Sequence, residues 1–266
     1  MPAATTGLRY AAEDPITRRY ARISSDCETG VPFVSAFLYR LKCAMLISDS
    51  HRFIFVHIPR TGGTSVKNAL NPFSVKCAYA RWEKWLTRFG LVRDYHHFRF
   101  RTHCTLMDIQ RHVPQEIFDT YFKFTVVRHP WSRLKSEYRF LFLGSDLHNN
   151  RRRHRHRWLR QVHSFEEFVF QRVNHPNAFQ FDMVKVPAGG LGIDFAGRTE
   201  YLESDFDVIR ERIKVQAPLT HDNKARKGAV TTGPEASTDS TEVREFFLEY
   251  WQRDLEVFGY HDPFPR

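Results

Sequence analysis

Two short apolar runs, residues 53–58 and 121–127, have the aromatic and β-branched composition of buried β-strands. The first run ends at Pro59 and passes into a turn that contains Gly62 and Gly63, after which a helical stretch follows. The second run also leads into a helical stretch. This repeated order of strand, turn and helix predicts an α/β fold with a central, mostly parallel sheet flanked by helices.

Amphipathic stretches with apolar residues at helical spacing account for much of the remaining chain. Helices are predicted at residues 33–47, within residues 79–118, after Ser164, at residues 203–214 and at residues 243–258. Ser164 and Glu167 match a capping box, and Gly259 is a typical helix stop. A short strand is predicted within residues 187–198. Residues 220–240 form a long polar loop, and loops of this length commonly cover a ligand or move.

The turn after the first strand is suited to binding an oxyanion. Gly62 and Gly63 allow backbone N–H groups to point toward an anion at a helix start, while Thr64 and Ser65 add hydroxyl donors. The cation, Arg60, precedes the glycines, whereas the loop of nucleotide triphosphatases has a lysine after them and four residues between them. The turn predicts a phosphate or sulfate site of another kind; tight packing of strand and helix is the alternative.

A second segment has the same character. Arg128 comes directly after the second strand, and Pro130 is placed to open the next helix. Ligands of open α/β sheets bind at the carboxyl ends of the strands, so Arg128 is expected to lie across the site from Arg60 and the turn hydroxyls. Ser136, two helical turns further on, is expected to face the same site.

Together these segments resemble a known family. The stretches IFVHIPRTGGTS and FTVVRHPWSRLKSEY resemble the 5′-phosphosulfate loop and the 3′-phosphate motif of sulfotransferases that use 3′-phosphoadenosine 5′-phosphosulfate (PAPS). The likeness is to the carbohydrate branch, which contains the chondroitin and heparan 2-O-sulfotransferases. It extends through residues 198–209 and 254–260. Residues 51–266 are therefore expected to form the sulfotransferase domain, after an N-terminal extension of residues 1–50.

The resemblance implies a P-loop-like sulfotransferase fold and PAPS as the sulfate donor. The residues expected to bind this cofactor are Arg60, Thr61, Gly62, Gly63, Thr64, Ser65, Arg128, Ser136, Arg226 and Lys227. The last two belong to the long polar loop and are similar to the Arg-Lys-Gly of cytosolic sulfotransferases, although the surrounding sequence differs. No metal is expected, because the loop and the basic side chains neutralise the charge of the donor.

Three histidines lie in the segment YHHFRFRTH between the two motifs. Histidine loses its proton near neutral pH and can therefore act as general base toward a hydroxyl. The family places its base in this interval, before a short helix. His103 matches that place best, and His97 is the reserve candidate. A structural role is the alternative for each histidine.

Two positions depart from the family's usual pattern. Arg60 stands where the family usually has lysine, and His129 stands where it often has asparagine. Arginine stays protonated at any working pH, so Arg60 is expected to stabilise negative charge on the leaving phosphate without donating a proton. Arg60 and His103 are therefore the expected catalytic residues.

The chain of 266 residues carries a formal net charge of +10, which suits an anionic cofactor and acceptor but would suit nucleic acid equally well. Arginines are densest in residues 151–160. Three interpretations of this run stay open: a surface for an acidic glycan, a solvated helix or loop, and, as the least favoured, a nucleic-acid contact that includes Trp158. His175, Asn177 and Gln180 are open to acceptor contact or to hydrogen bonding within a turn, and the second is favoured.

The four cysteines show no CxxC pair and no metal-ligand spacing, which indicates neither a zinc site nor a disulfide framework. No charged start followed by an apolar run occurs at Met1, and the most apolar early stretch, residues 31–47, contains Arg40 and Lys42. Neither a signal peptide nor a membrane span is therefore predicted. Animal carbohydrate sulfotransferases usually carry a Golgi membrane anchor, so the resemblance implies that a chain without one is cytoplasmic.

We expect a metal-independent sulfotransferase that transfers the sulfuryl group of PAPS to a hydroxyl, with a carbohydrate as the expected acceptor. The alternative is a basic protein that binds nucleic acid or a polyanionic glycan and has the fold without the chemistry. A nucleotide kinase is disfavoured by the missing Gly-Lys-Ser/Thr sequence.

Overall fold

Four strands form the sheet in the part of the chain that the computed structural model describes, which is residues 46–74, 100, 103–143, 157–219 and 240–264. They are β1 (Leu46–Ser48), β2 (Phe53–Val56), β3 (Phe122–Val127) and β4 (Phe195–Arg198). The three strands predicted from the sequence, β2, β3 and β4, are confirmed.

The sheet begins earlier than the sequence pattern indicates. The helix predicted over residues 33–47 is wrong at its end, because Leu46 and Ile47 lie in β1. Residues 33–45 lie outside the described residues. β1 also precedes residue 51, where the sulfotransferase domain is expected to begin.

The sheet is mixed, with the strand order β1-β2-β3-β4. β1 is antiparallel to β2, with Ile47 opposite Ile54, whereas β2 is parallel to β3 and β3 is parallel to β4. Residues 49–52 form the turn between β1 and β2, and so short a connection can join only antiparallel strands. The predicted α/β fold, with a central sheet flanked by helices, is confirmed. The sheet itself is mixed, with two parallel pairs of strands and one antiparallel pair.

The α-helices of the described residues are numbered in chain order. They are α1 (Gly63–Leu70), α2 (Leu106–Gln110), α3 (Gln115–Thr120), α4 (Pro130–Tyr138), α5 (Phe165–Arg172), α6 (Gln180–Val184), α7 (Leu202–Ile213) and α8 (Thr241–Val257). A π-helical turn, Arg139–Leu143, continues α4. At α5, Ser164 Oγ accepts the N–H of Glu167 as predicted, but the Glu167 carboxylate accepts from the N–H of His163 instead of Ser164.

Alternate side chains of the central strands enter two apolar cores, one on each face of the sheet. Phe53, Phe55 and Phe124 pack with α1 and α7. Ile54 and Val56 pack on the opposite face with α2, α3 and α6. Helices thus cover both faces of the sheet, and the carboxyl ends of β2, β3 and β4 are left as one edge where loops meet.

The apolar stripe predicted for the last helix packs into a third core, which α8 forms with α4 and α5. Val243, Phe247, Trp251 and Leu255 of α8 are buried, whereas Tyr250 is 43% exposed. Within the ranges described above, none of the helices is both long enough and apolar enough to pass through a membrane.

Candidate active site

The turn after β2 has two residues in the left-handed region of backbone conformation. Gly62 has φ 77° and is the N-cap of α1, and Arg60 has φ 69°. Glycine adopts this conformation without strain, whereas arginine adopts it at a cost. The backbone at Arg60 is therefore held there by the contacts of the surrounding structure.

Gly63, the first residue of α1, is required by close packing against a histidine. A Cβ atom at this position would lie 2.4 Å from Cδ2 of His57, so the His57 ring or the turn would have to shift to accept a side chain. The turn backbone therefore rests directly on the His57 ring. Because the first N–H groups of a helix have no partner within the helix, the start of α1 offers donors and the positive end of a helix dipole to an anion.

The three hydroxyl residues of the turn have different surroundings. Thr61 is fully buried, and its Oγ1 donates to the carbonyl of Ile58 at 3.0 Å, so this hydroxyl shapes the turn. Ser65 is buried in the first turn of α1, while Thr64 beside it is exposed. The Thr64 side chain is therefore the best placed of the three to reach a ligand from solvent.

Arg60 connects the turn to the second motif. Its Nη2 donates to Ser136 Oγ at 3.3 Å, and its guanidinium carbon lies 4.3 Å from the ring centroid of Phe140. Ser136 lies on α4, 76 residues further along the chain. The expectation that Ser136 faces the site of the first turn is therefore supported by a direct contact between the two motifs.

Thr199 joins the loops at the carboxyl edge of the sheet. Its Oγ1 lies 2.7 Å from the carbonyl oxygen of Thr61 and 2.9 Å from that of Val127. The ends of β2, β3 and β4 are thus held around one hydroxyl. Sequence reasoning did not single out Thr199, and the available signal was its position within residues 198–209, the third segment that resembles the family.

The backbone of Arg128 is clamped by Gln180. Gln180 is fully buried; its Oε1 accepts the N–H of Arg128 at 2.9 Å, and its Nε2 donates to the Arg128 carbonyl at 2.8 Å. The buried carboxylate of Asp254 accepts the N–H groups of Gln180 and Phe181, each at 2.8 Å. Gln180 therefore has the structural role that the sequence favoured, and it sets the point at which Arg128 leaves the sheet.

The Arg128 side chain is a partly desolvated cation. Burial lowers its pKa, the carboxylate of Glu200 opposes that shift, and the nearby positive charge of Arg139 adds to it. Glu200 is itself held by the N–H of His129 and the hydroxyl of Tyr260, both at 2.9 Å. A bound anion would stabilise two neighbouring arginines in such surroundings.

His103, the expected general base, contacts His57 at the end of the strand that leads into the turn. Its Nδ1 is 3.1 Å from the carbonyl oxygen of His57, and the two ring centroids are 4.9 Å apart. A carbonyl only accepts, so Nδ1 carries the proton and Nε2 has the lone pair of the neutral ring. Thr105 and Asp108 form a capping box that starts α2, which agrees with a base placed before a short helix. His97 lies outside the described residues.

Arg133 supports the turn by a hydrogen bond to the residue that precedes Arg60. The sequence did not indicate this role, because no charge pattern marks Arg133. Its side chain is 1% exposed and donates to the carbonyls of Pro59 at 3.0 Å and of Asn177 and Ala178 at 2.6 Å. Arg172 also donates to the Asn177 carbonyl, at 2.9 Å. These bonds favour a structural role for Asn177. Burial lowers the pKa of Arg133 to about 10, which leaves the guanidinium protonated at neutral pH.

Other expected site residues are only partly covered by the structure. Arg226, Lys227 and residues 151–156 lie outside the described ranges. Arg157 and Arg160 are exposed, and Trp158 stacks on His175 with ring centroids 4.0 Å apart. Among the residues that are described, no group of three or more His, Cys, Asp or Glu side chains is arranged to hold a metal ion.

Comparison with known proteins gives one family. The model of the Sulfotransferase family matches residues 44–261, which include β1, both of the predicted anion-binding segments and α8. Searches of curated proteins and of solved structures gave no match. Since the matched region spans most of the chain and contains the whole edge described above, the protein belongs to the sulfotransferase family, whose enzymes transfer sulfate.

Proposed function

We propose that this sulfotransferase uses PAPS as its donor and transfers the sulfuryl group to a hydroxyl of a carbohydrate. The observation that carries the proposal is the 3.3 Å hydrogen bond from Arg60 to Ser136, which brings two anion-binding segments together. A donor with phosphate at both its 5′ and 3′ positions requires two such segments at one site. The resemblance of these segments to the family's two cofactor motifs supports the same donor.

The hydrogen-bond donors and cations of the two segments are of the kinds that PAPS requires. We assign its 5′-phosphosulfate to Arg60, the N-terminus of α1, Thr64 and Ser65, and its 3′-phosphate to Arg128 and Ser136, with Arg226 and Lys227 as further contacts. When bound, PAPS supplies a sulfuryl group already activated by its bond to phosphate. Arg60 then stabilises the negative charge that develops on the leaving phosphate, and it acts electrostatically because it keeps its proton.

His103 is the proposed general base. The bond from its Nδ1 to the His57 carbonyl leaves Nε2 as the basic atom of the neutral ring, and an acceptor hydroxyl within reach would give its proton to that atom.

The acceptor part of the proposal is supported by charge. Arg157 and Arg160 are exposed, and the net charge of the chain is +10. Both features favour an acceptor that carries acidic groups. Trp158 already stacks on His175, so one face of its ring is covered. That contact favours an acidic glycan over a nucleic acid, whose bases would stack on exposed aromatic rings.

Thermal unfolding with 3′-phosphoadenosine 5′-phosphate (PAP) tests the donor site. At about 100 times its Kd, PAP is expected to stabilise the protein by about 2.7 kcal/mol and to raise Tm by about 5–11 °C. ATP at the same concentration should give a smaller rise, because it lacks the 3′-phosphate. Ser136→Ala should weaken PAP binding about tenfold. Ser74→Ala is the matched control, because Ser74 follows the carboxyl end of α1 and its hydroxyl donates to the Asn71 carbonyl at 2.8 Å. Equal stabilisation by ATP and PAP would favour a general polyanion-binding protein.

Replacement of His103 by alanine is expected to lower the transfer rate by about 10²–10⁴-fold while the PAP-induced rise in Tm stays unchanged. The rate is measured with labelled PAPS and the best acceptor from a screen of glycans and small hydroxylated metabolites. His112→Ala is the control, because the exposed His112 also places Nδ1 on a backbone carbonyl, that of Asp108 at 2.7 Å. A loss of PAP binding in His103→Ala would instead assign His103 to the donor site.

A further inference from the structure

His57 lies between the anion-binding turn and His103. Its side chain is 7% exposed, and its ring centroid is 5.9 Å from that of Phe55 and 4.9 Å from that of His103. The Cδ2 and Nε2 edge of the same ring faces Gly63, where a Cβ would lie 2.4 Å and 2.9 Å from those two atoms. One flat ring therefore fills the space that separates the turn from the proposed base.

A polar imidazole at position 57 is unusual for a side chain that serves only to fill space in the core. His57 Nδ1 is buried and has no hydrogen-bond partner among the described residues. Buried polar atoms without a partner are rare, because each loses its hydration without compensation. Burial lowers the pKa of His57 to about 3, and the neighbouring charges of His103 and Lys67 add to the shift, so the ring stays neutral at physiological pH. An apolar side chain would avoid these costs.

The backbone of His57 contacts the same neighbour. Its carbonyl oxygen accepts from His103 Nδ1 at 3.1 Å, so the ring and the carbonyl of one residue both meet the His103 imidazole. A carbonyl opposite Nδ1 selects the tautomer with the proton on Nδ1. The ring limits the positions that the His103 plane can take.

We infer that His57 is a positioning residue for His103: its ring and carbonyl together hold the His103 imidazole in the Nδ1–H tautomer, with Nε2 directed to the site. The inference rests on the proposed function, since it concerns the base proposed there. The same inference explains why glycine occupies position 63, in addition to its place at the start of α1. Any side chain at Gly63 would displace the ring that positions the base.

The tautomer of His103 can be measured without an acceptor. Long-range ¹H–¹⁵N spectra of protein labelled at histidine, recorded at pH 8, are assigned by comparison with His103→Ala and His57→Ala. We expect His103 to show the Nδ1–H tautomer in the wild type. His57→Ala and His57→Asn keep the backbone carbonyl but lack the ring that packs on His103. The His103 plane can then turn away from the carbonyl, so we expect a mixture of tautomers in both variants. His112 is the internal reference, because its own carbonyl contact should keep its signal unchanged.

His57→Asn is included in case His57→Ala does not fold. Asparagine leaves a smaller cavity than alanine and keeps a polar group near the position of Nδ1. Nε2–H as the main tautomer of His103 in the wild type would overturn the inference. So would a single Nδ1–H tautomer in either folded variant.

A kinetic arm separates this inference from the proposed function. At saturating PAPS, His57→Ala should lower kcat by about 100-fold, the scale of a misplaced catalytic group. In a His103→Ala background the same change should cost nothing more, because His57 acts through His103. Failure of PAP to stabilise the wild type would refute the donor assignment alone. Normal PAP binding and an essential His103, combined with full activity of His57→Ala, would refute only the role of His57.

Discussion

Arg60→Ala is expected to raise the activation free energy of turnover by about 2–4 kcal/mol, the cost of losing one preorganised hydrogen-bond donor to the negative charge that develops in the transition state. The backbone of Arg60 has φ 69°. Its guanidinium is fixed by Ser136 Oγ, 3.3 Å from Nη2, and by the ring of Phe140. A donor fixed in advance needs no rearrangement when charge appears on the leaving phosphate. The measurement is kcat and KM for labelled PAPS, and the change should appear mainly in kcat.

Two further variants make the Arg60 result specific. Arg60→Lys should retain much of the activity, because lysine also carries the required charge and is usual at this position in the resembling family. Arg52→Ala is the matched control: Arg52 is likewise an arginine at positive φ, 49°, but it lies in the turn between β1 and β2 and is exposed. Unchanged turnover in Arg60→Ala would contradict the proposed electrostatic role.

Arg133→Leu is expected to destabilise the fold by about 3 kcal/mol. Leucine fills part of the volume but supplies none of the three hydrogen bonds. Arg172 still donates to the Asn177 carbonyl, so the carbonyls of Pro59 and Ala178 lose their donor, and each buried acceptor left without a donor costs about 1–3 kcal/mol. The corresponding fall in Tm is about 6–12 °C for a protein of this size. Since Pro59 immediately precedes Arg60, the PAP-induced rise in Tm should also decrease. Thermal unfolding with and without PAP measures both effects.

Arg212→Leu is the control for this change, because Arg212 is exposed on α7 and its guanidinium carbon lies 5.7 Å from the ring centroid of Phe122. It should alter Tm little. A fall in Tm of less than about 2 °C in Arg133→Leu would show that the carbonyls of Pro59 and Ala178 find other donors, and the assigned supporting role would then be wrong.

The segments that build the site were readable from the sequence because their signals are local. The apolar run that becomes β2, the Gly62-Gly63 turn and the spacing of α7 and α8 depend on neighbours within a few residues. The placement of Arg128 at a strand end and of His103 before a short helix followed from the same kind of signal together with the family resemblance. The β1 strand was missed, because three residues are too few to show a period of two.

By itself the sequence determined the strands and the turn of the predicted anion site, several of the helices with their apolar stripes, and the residue types available for chemistry. Only the tertiary structure decided which of these residues meet. Ser136 contacts Arg60 across 76 positions, and Thr199 reaches Thr61 across 138, while Arg133 and Gln180 serve as supports and not as ligands. The physical reason is that backbone preference acts over a few residues, whereas a hydrogen bond between distant side chains exists only after sheet and helices have packed into their cores.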